Sequence, residues 1–321
     1  MKRLTKKLKK LETNIMSVQH KIYNFIIIFV VTFFVTNEVH AKKFPTGYPE
    51  CWLDKKNPVQ LNIKKPNQFC PLNSKVGHKF MIVDFTSPLA EAQIDWIKGR
   101  IFGDALIKTT PPYFKLSYMK IDDTAPQSQK IHYSKCRFKT GNKSRFIGEE
   151  TNTNCEGDDQ IKEVFSLSLQ ILEKFQNEFM SNYNKKSKKS LIFEYFFHVL
   201  REQKTDFTSE YPERELIIVS DLMQNSDRFS FYKHCKTDLS NIPNKCRSFD
   251  SLLKKKKVKN YIDDRKPKKE TLKNLKITIL YINHDYETRD GLSSSLVALW
   301  EDLFKYIGIE NYEIVKQLDI Q

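Results

Sequence analysis

A doubly wound α/β domain, a mostly parallel sheet with helices on both faces, is the fold class this sequence predicts, and three observations predict it. Short apolar runs that end in an acid recur along the chain: Lys79-Phe80-Met81-Ile82-Val83-Asp84 and Glu215-Leu216-Ile217-Ile218-Val219-Ser220-Asp221. Runs apolar at nearly every position suit strands buried on both faces. Helically spaced segments separate these runs, and strands that alternate with helices pair in parallel through crossovers. The composition agrees: 40% hydrophobic and 12% aromatic residues can fill a substantial core.

Each element follows in order. The first strand covers 79–84. Ser87 is placed to cap the next helix with Pro88 at its first position, and Ile94, Ile97 and Ile101 give that helix, over 88–106, one apolar stripe. Residues 113–121 read as a second strand and 130–138 as a third. The polar stretch 139–158 reads as a loop. Val164, Leu167, Ile171, Leu172, Phe175 and Phe179 mark a long helix over 159–182. Ser190 is a candidate cap for a helix from Leu191 to about Glu202, rich in core-type aromatics. The strand 215–221 comes next. Residues 222–274 read as a long irregular insertion, 275–282 as a strand, 293–307 as a helix and 311–315 as a last short strand.

The N-terminus reads separately. Residues 1–43 carry nine Lys or Arg against Glu12 and Glu38, a large part of the net charge of +15. The cluster Lys2 to Lys21 precedes an apolar run from Ile22 to about Thr36, which leads to Val39-His40-Ala41. That order is a positive n-region, an h-region and a small-residue cleavage pattern. It predicts a signal peptide or a hydrophobic helix anchoring the chain to the inner membrane through 22–36, with the remainder exported to the periplasm or another extracytoplasmic space. Residues 44–78 read as an irregular lead-in, and 79–321 as the domain. Six cysteines agree with an oxidising compartment. Their spacing suggests three local pairs, Cys51 with Cys70, Cys136 with Cys155 and Cys235 with Cys246, which is one of 15 possible connectivities. No C-x-x-C occurs, which disfavours zinc.

Parallel sheets bind ligands beyond the carboxyl ends of their strands. Asp84, Ser220 and Asp221 occupy that position, as do Asn283 and His284 after the later strand. With these residues placed, the chain resembles the von Willebrand factor type A family, which is Rossmann-like in layout. Asp84-Phe85-Thr86-Ser87-Pro88 matches in part that family's Asp-x-Ser-x-Ser motif after the first strand, with Pro88 in place of the last hydroxyl. Ile217-Ile218-Val219-Ser220-Asp221 matches the fourth strand and its acid, and Ser190 stands where the family has a loop Thr. The stretch Ser220-Asp221-Leu222-Met223-Gln224-Asn225-Ser226 resembles exported bacterial members. The resemblance implies an Mg²⁺ or Mn²⁺ held by Asp84, Thr86, Ser190 and Asp221, with Ser87 and Ser220 as further candidates. It also implies a protein partner that completes the coordination.

Other chemistries fit less well. A haloacid dehalogenase-type phosphatase needs a second Asp where this chain has Thr86. No Gly-x-Ser-x-Gly elbow and no P-loop occurs. The basic block around Lys254–Lys257, Lys259 and Arg265–Lys269 contains one aromatic, Tyr261, so no stacking platform for nucleic acid is expected. The sequence therefore predicts an exported, non-enzymatic protein-binding domain with a degenerate divalent-metal site. Its alternatives are a metal-dependent phosphoester hydrolase and an adaptor that meets anionic surfaces through the basic loop.

Overall fold

The computed structural model describes Trp52 and residues 69–72, 74–141, 149–151, 153, 155–181, 187–237, 243–282 and 292–316. The chain divides into two units, Met1–Thr46 and Gly47–Gln321, and only the second contains described residues. The targeting segment, its apolar run over 22–36, and Asn283 and His284 lie outside them. Among the described residues no helix is long and apolar enough to cross a membrane.

The elements run β1 (His78–Asp84), α1 (Glu91–Ile101), α2 (Asp104–Thr109), β2 (Lys115–Ile121), β3 (Tyr133–Cys136), α3 (Asp158–Met180), α4 (Ile192–Arg201) and β4 (Arg214–Ser220). Then come β5 (Cys235–Thr237), β6 (Pro243–Cys246), α5 (Phe249–Leu253), α6 (Lys256–Asp263), α7 (Lys269–Leu272), β7 (Leu275–Tyr281), α8 (Leu292–Ile307) and β8 (Tyr312–Lys316). Six strands form one sheet in the order β3-β2-β1-β4-β7-β8. All neighbours are parallel except β3, which runs antiparallel beside β2 at one edge. The two apolar runs that end in acids are the adjacent central strands, with Val83 opposite Val219.

Strand alternation splits the core into two layers. Phe80, Ile82, Leu216, Ile218, Ile277 and Ile279 face α4 and α8, whose Phe196, Trp300 and Phe304 are fully buried. Met81, Val83, Ile217 and Val219 face α1 and α3 on the other side. At about 1.5–3 kcal/mol for each large apolar side chain taken from water, the two layers are the main source of stability.

Several expectations need correction. The single helix expected over 88–106 is two, because the chain turns at Gly103, where a Cβ would lie 3.1 Å from the Gly99 carbonyl oxygen. Ser87 does not cap α1. The helix starts later, and the Ala90 N–H is satisfied by Gln93 Oε1 at 2.8 Å. The insertion 222–274 is not irregular. It holds the β5–β6 hairpin and three short helices, and Phe231, Phe249, Leu252, Val258 and Ile262 are buried in the same core layer as α4 and α8. Its lysines decorate the outer side of α6, and the helical spacing of Val258, Tyr261 and Ile262 had been masked by the surrounding charge.

The cysteine connectivity also differs. Cys70 is bonded to Cys136, 66 residues away, whereas Cys235 is bonded to Cys246 across the β5–β6 pair, as its spacing suggested. Cys155 is disulfide-bonded too, with a partner outside the described residues. The first two local pairs fail because β3 turns back beside β2 and delivers Cys136 opposite Lys115, at the end of the sheet where the lead-in enters β1. Cross-links over such separations contribute on the order of 3–4 kcal/mol through the unfolded chain. Disulfides of this kind place the protein outside the cytoplasm.

Candidate functional site

β1 and β4 end side by side in the middle of the sheet, which puts Asp84 and the Ser220-Asp221 pair at one point on its carboxyl edge. Asp84 is buried and surrounded by donors. Its Oδ1 accepts the Thr86 N–H at 2.9 Å and the Thr86 hydroxyl at 2.5 Å. Its Oδ2 accepts the Ser190 hydroxyl at 3.0 Å and the Ser220 hydroxyl at 2.9 Å. Asp221 accepts the Met223 N–H at 2.8 Å and the Ser87 hydroxyl at 3.2 Å. All six residues proposed as metal ligands thus meet in one place, from three separate segments of the chain.

The loops are held by their own bonds. Ser190 and Asn225 exchange backbone hydrogen bonds at 2.9 and 2.7 Å, which aims the Ser190 side chain at Asp84. The Ser187 N–H donates to the Thr86 carbonyl at 3.0 Å, docking the 187–190 segment on the first motif. After β4 the chain turns through Leu222 at a φ of 63°, a conformation bulky side chains rarely adopt. The turn is retained because Leu222 is fully buried, its carbonyl accepts the Trp300 indole N–H at 3.3 Å, and the Ser220 hydroxyl accepts its N–H at 2.9 Å.

Sequence reasoning missed Gln224 and Glu194. Gln224 is fully buried; its Oε1 accepts the Phe193 N–H at the start of α4, and its Nε2 donates to Glu194 Oε2 at 2.9 Å. The amide ties the turn after Asp221 to the helix after Ser190. Its signal was there, as a Gln-Asn pair beginning three residues beyond the acid.

The electrostatics set this place apart. Burial, with the Asp221 charge close by, pushes the Asp84 carboxyl up to about 6, against the lowering effect of its hydroxyl and amide donors. Among the described residues Asp84 has no ion pair with a Lys or Arg, only neutral donors. Two acids brought together under such conditions favour a bound cation or a bound proton. The donors are carboxylate and hydroxyl oxygens without sulfur or imidazole, the set preferred by Mg²⁺ and Mn²⁺. Among the described residues no three His, Cys, Asp or Glu side chains group as metal ligands, so an ion held here depends on the hydroxyls. Pro88 supplies none and is exposed at the rim next to the half-buried Ser87.

Sheet order, an antiparallel edge strand, and an acid after each of the first and fourth strands now stand together. The fold is von Willebrand factor type A-like. No protein-family model matches the chain, and no curated protein does. Solved structures similar to it include the ArnB paralog VWA2 from Sulfolobus acidocaldarius, at 13% identity over 75% of this chain and 41% of that one, with a TM-score of 0.34. The human COPII-coat protein Sec24c is similar at 10% identity over 78% of this chain and 31% of that one, also with a TM-score of 0.34. The chain thus spans less than half the length of either. At such scores the strand order and the acids of this type A-like domain, rather than superposition, carry the fold assignment.

Proposed function

We propose that the exported domain is a non-enzymatic binding module for another protein, and that a divalent cation at Asp84, Thr86, Ser190 and Asp221 helps it bind. The observation that carries this reading is the meeting of Asp84 and Asp221 at the ends of adjacent central strands, ringed by Thr86, Ser190 and Ser220. The two carboxylates and two of these hydroxyls would hold the ion. When bound, it supplies positive charge that a partner's carboxylate can complete. The chain's own residues keep the oxygens converged: Asn225 orients Ser190, and Gln224 fixes the turn that follows Asp221. Pro88 removes one hydroxyl of the family motif, so a weaker centre is expected than in members that have it.

A phosphoester hydrolase on the same acids draws less support. The residue two positions beyond Asp84 is Thr86, whose hydroxyl is donated back to Asp84, which leaves no general acid there. The N-terminal run is read as the export signal, retained as an inner-membrane anchor or removed.

The test is capture of the partner by the full chain, carried out by cross-linking on intact cells with and without chelator. Chelator and Asp221→Ala should both reduce the captured partner strongly. Capture that neither treatment changes would remove the ion from the function.

A further inference from the structure

Positive charge is spread unevenly over this domain. Residues 222–274 carry 15 Lys or Arg against six Asp or Glu, whereas the remainder, 44–221 with 275–321, is almost neutral. The insertion is anchored from one side only. Phe249 and Leu252 of α5, with Val258, Tyr261 and Ile262 of α6, are buried in the core layer of α4 and α8. The residues between the two helices therefore turn outward, and Lys254, Lys255, Lys256 and Lys257 are all exposed at this corner.

The β5–β6 hairpin extends the same surface. Exposed Lys233 and Arg247 stand at its base, just outside the Cys235–Cys246 bond. His234 Nε2 lies 3.1 Å from the Arg247 carbonyl oxygen. Burial holds the His234 ring below its ordinary value, and the nearby charges of Lys255 and Arg247 push it the same way, so the corner and the hairpin share one patch. Acids do not cancel this patch. Asp227 is paired with Lys189 and Asp263 with Lys259. Among the described residues neither the four corner lysines nor Lys233 and Arg247 form an ion pair, although the exposed Asp250 lies one turn before Lys254. Exposed like charges repel weakly in water, so the cluster costs the fold little while leaving a positive field.

We infer that this patch is a docking surface for a bilayer containing anionic phospholipids, met by the exported domain on the outer side of the membrane it has crossed. Lysines suit such a partner. An ammonium is a mobile point charge that matches a fluid array of singly charged phosphodiesters, whereas a guanidinium fork suits one fixed anion. Tyr232, exposed beside Lys233, adds a ring with an apolar body and a polar tip, a type enriched at the lipid–water boundary. Nucleic acid fits less well, because Tyr261, the aromatic within the lysine block, is buried under Arg228 and Arg265 and offers no face for stacking. A hydrophobic segment at the N-terminus can hold the chain at the membrane, but only a charged face determines which side of the domain turns toward it. The inference rests on export and needs neither the ion nor a protein partner.

The test uses the full chain reconstituted in phosphatidylcholine vesicles with and without phosphatidylglycerol. A membrane-impermeant acetylating ester is added outside, and mass spectrometry gives the rate at each lysine. Each lysine near an anionic surface contributes about fivefold to partitioning, so acetylation of Lys254–Lys257 should slow by roughly that factor in the anionic vesicles. The rates should recover in about 0.5 M NaCl, where screening shortens the reach of the surface charge. Lys162 and Lys174, exposed on α3 across the sheet, should be unaffected. Lys255→Gln with Lys256→Gln should weaken docking about 25-fold and return Lys254 and Lys257 to their rates in neutral vesicles. The inference is overturned by equal rates in the two kinds of vesicle, by equal slowing at Lys162 and Lys174, or by slowing that salt does not reverse. Stronger protection by a DNA duplex at the same phosphate concentration would overturn it in favour of nucleic acid.

Discussion

Beside β3, Glu149 and Glu156 are buried as deeply as Asp84, yet each has a cation of its own. Arg137 lies 2.5 Å from Glu149 in a charge contact, and Thr140 donates to the same carboxylate through its N–H and hydroxyl at 2.6 and 2.8 Å. Lys139 pairs with Glu156, which also takes the Trp52 indole N–H. These clamps sit at the edge of the sheet, where the strand enters an otherwise irregular stretch. At the carboxyl ends of the central strands, Asp84 meets hydroxyls, an amide and a second acid, with no Lys or Arg paired to it among the described residues. The same fold can therefore neutralise a buried carboxylate when the carboxylate only holds structure together. Where it leaves one without a cation, a proton or a bound ion can supply the missing charge.

The comparison can be broken first where the expected effect is largest. Arg137→Met strands the Glu149 charge in the interior and should lower stability by about 3–5 kcal/mol in urea denaturation. A loss near zero would mean that the pair is hydrated and the contrast false. Next in size, and opposite in sign, is Asp84→Asn in chelator. The folded carboxyl titrates near 6, above its ordinary 3.8, so the folded state keeps its proton longer than the unfolded chain does. Its charge burdens the fold above pH 6, and the burden fades as pH falls toward the unfolded value. The variant should thus be more stable than wild type at about pH 7.5 by up to ~3 kcal/mol, with the difference shrinking toward pH 4. Paired thermal melts across that range measure it, and a variant less stable at every pH would contradict the account.

Smaller effects sharpen the picture. Ser190→Ala removes one donor from Asp84 and should lower stability by about 1 kcal/mol in chelator, while weakening Mn²⁺ binding. Denaturation and metal titration of the same sample separate the two. Pro88→Ser restores a hydroxyl at the exposed rim. It should raise Mg²⁺ affinity by roughly tenfold, the lower end of the scale on which supporting residues tune metal sites, with little change in stability.

Much of this was legible in the residues. Apolar runs such as 79–84 and 215–221 show buried strands because both faces of the sheet are covered, and the acids that end them mark its carboxyl edge. The helical stripes of α3 and α8 were as plain. What sequence could not supply was contact between distant segments. The pairing of Cys70 with Cys136 depends on the return of β3 beside β2, which no spacing encodes. The insertion looked irregular because lysines outnumber the three residues, Val258, Tyr261 and Ile262, that anchor α6. Ser190 was placed near the centre through the family motif. The Asn225 bridge and the buried Gln224 that hold its loop in place come from tertiary hydrogen bonds alone.

The direct measurement is isothermal titration of the full chain with Mg²⁺ and Mn²⁺, wild type against Asp221→Ala. A single saturable site in the wild type, absent from the variant, is the expected result. No heat of binding in the wild type, or the same isotherm in both proteins, would contradict the claim that Asp84 and Asp221 share a cation.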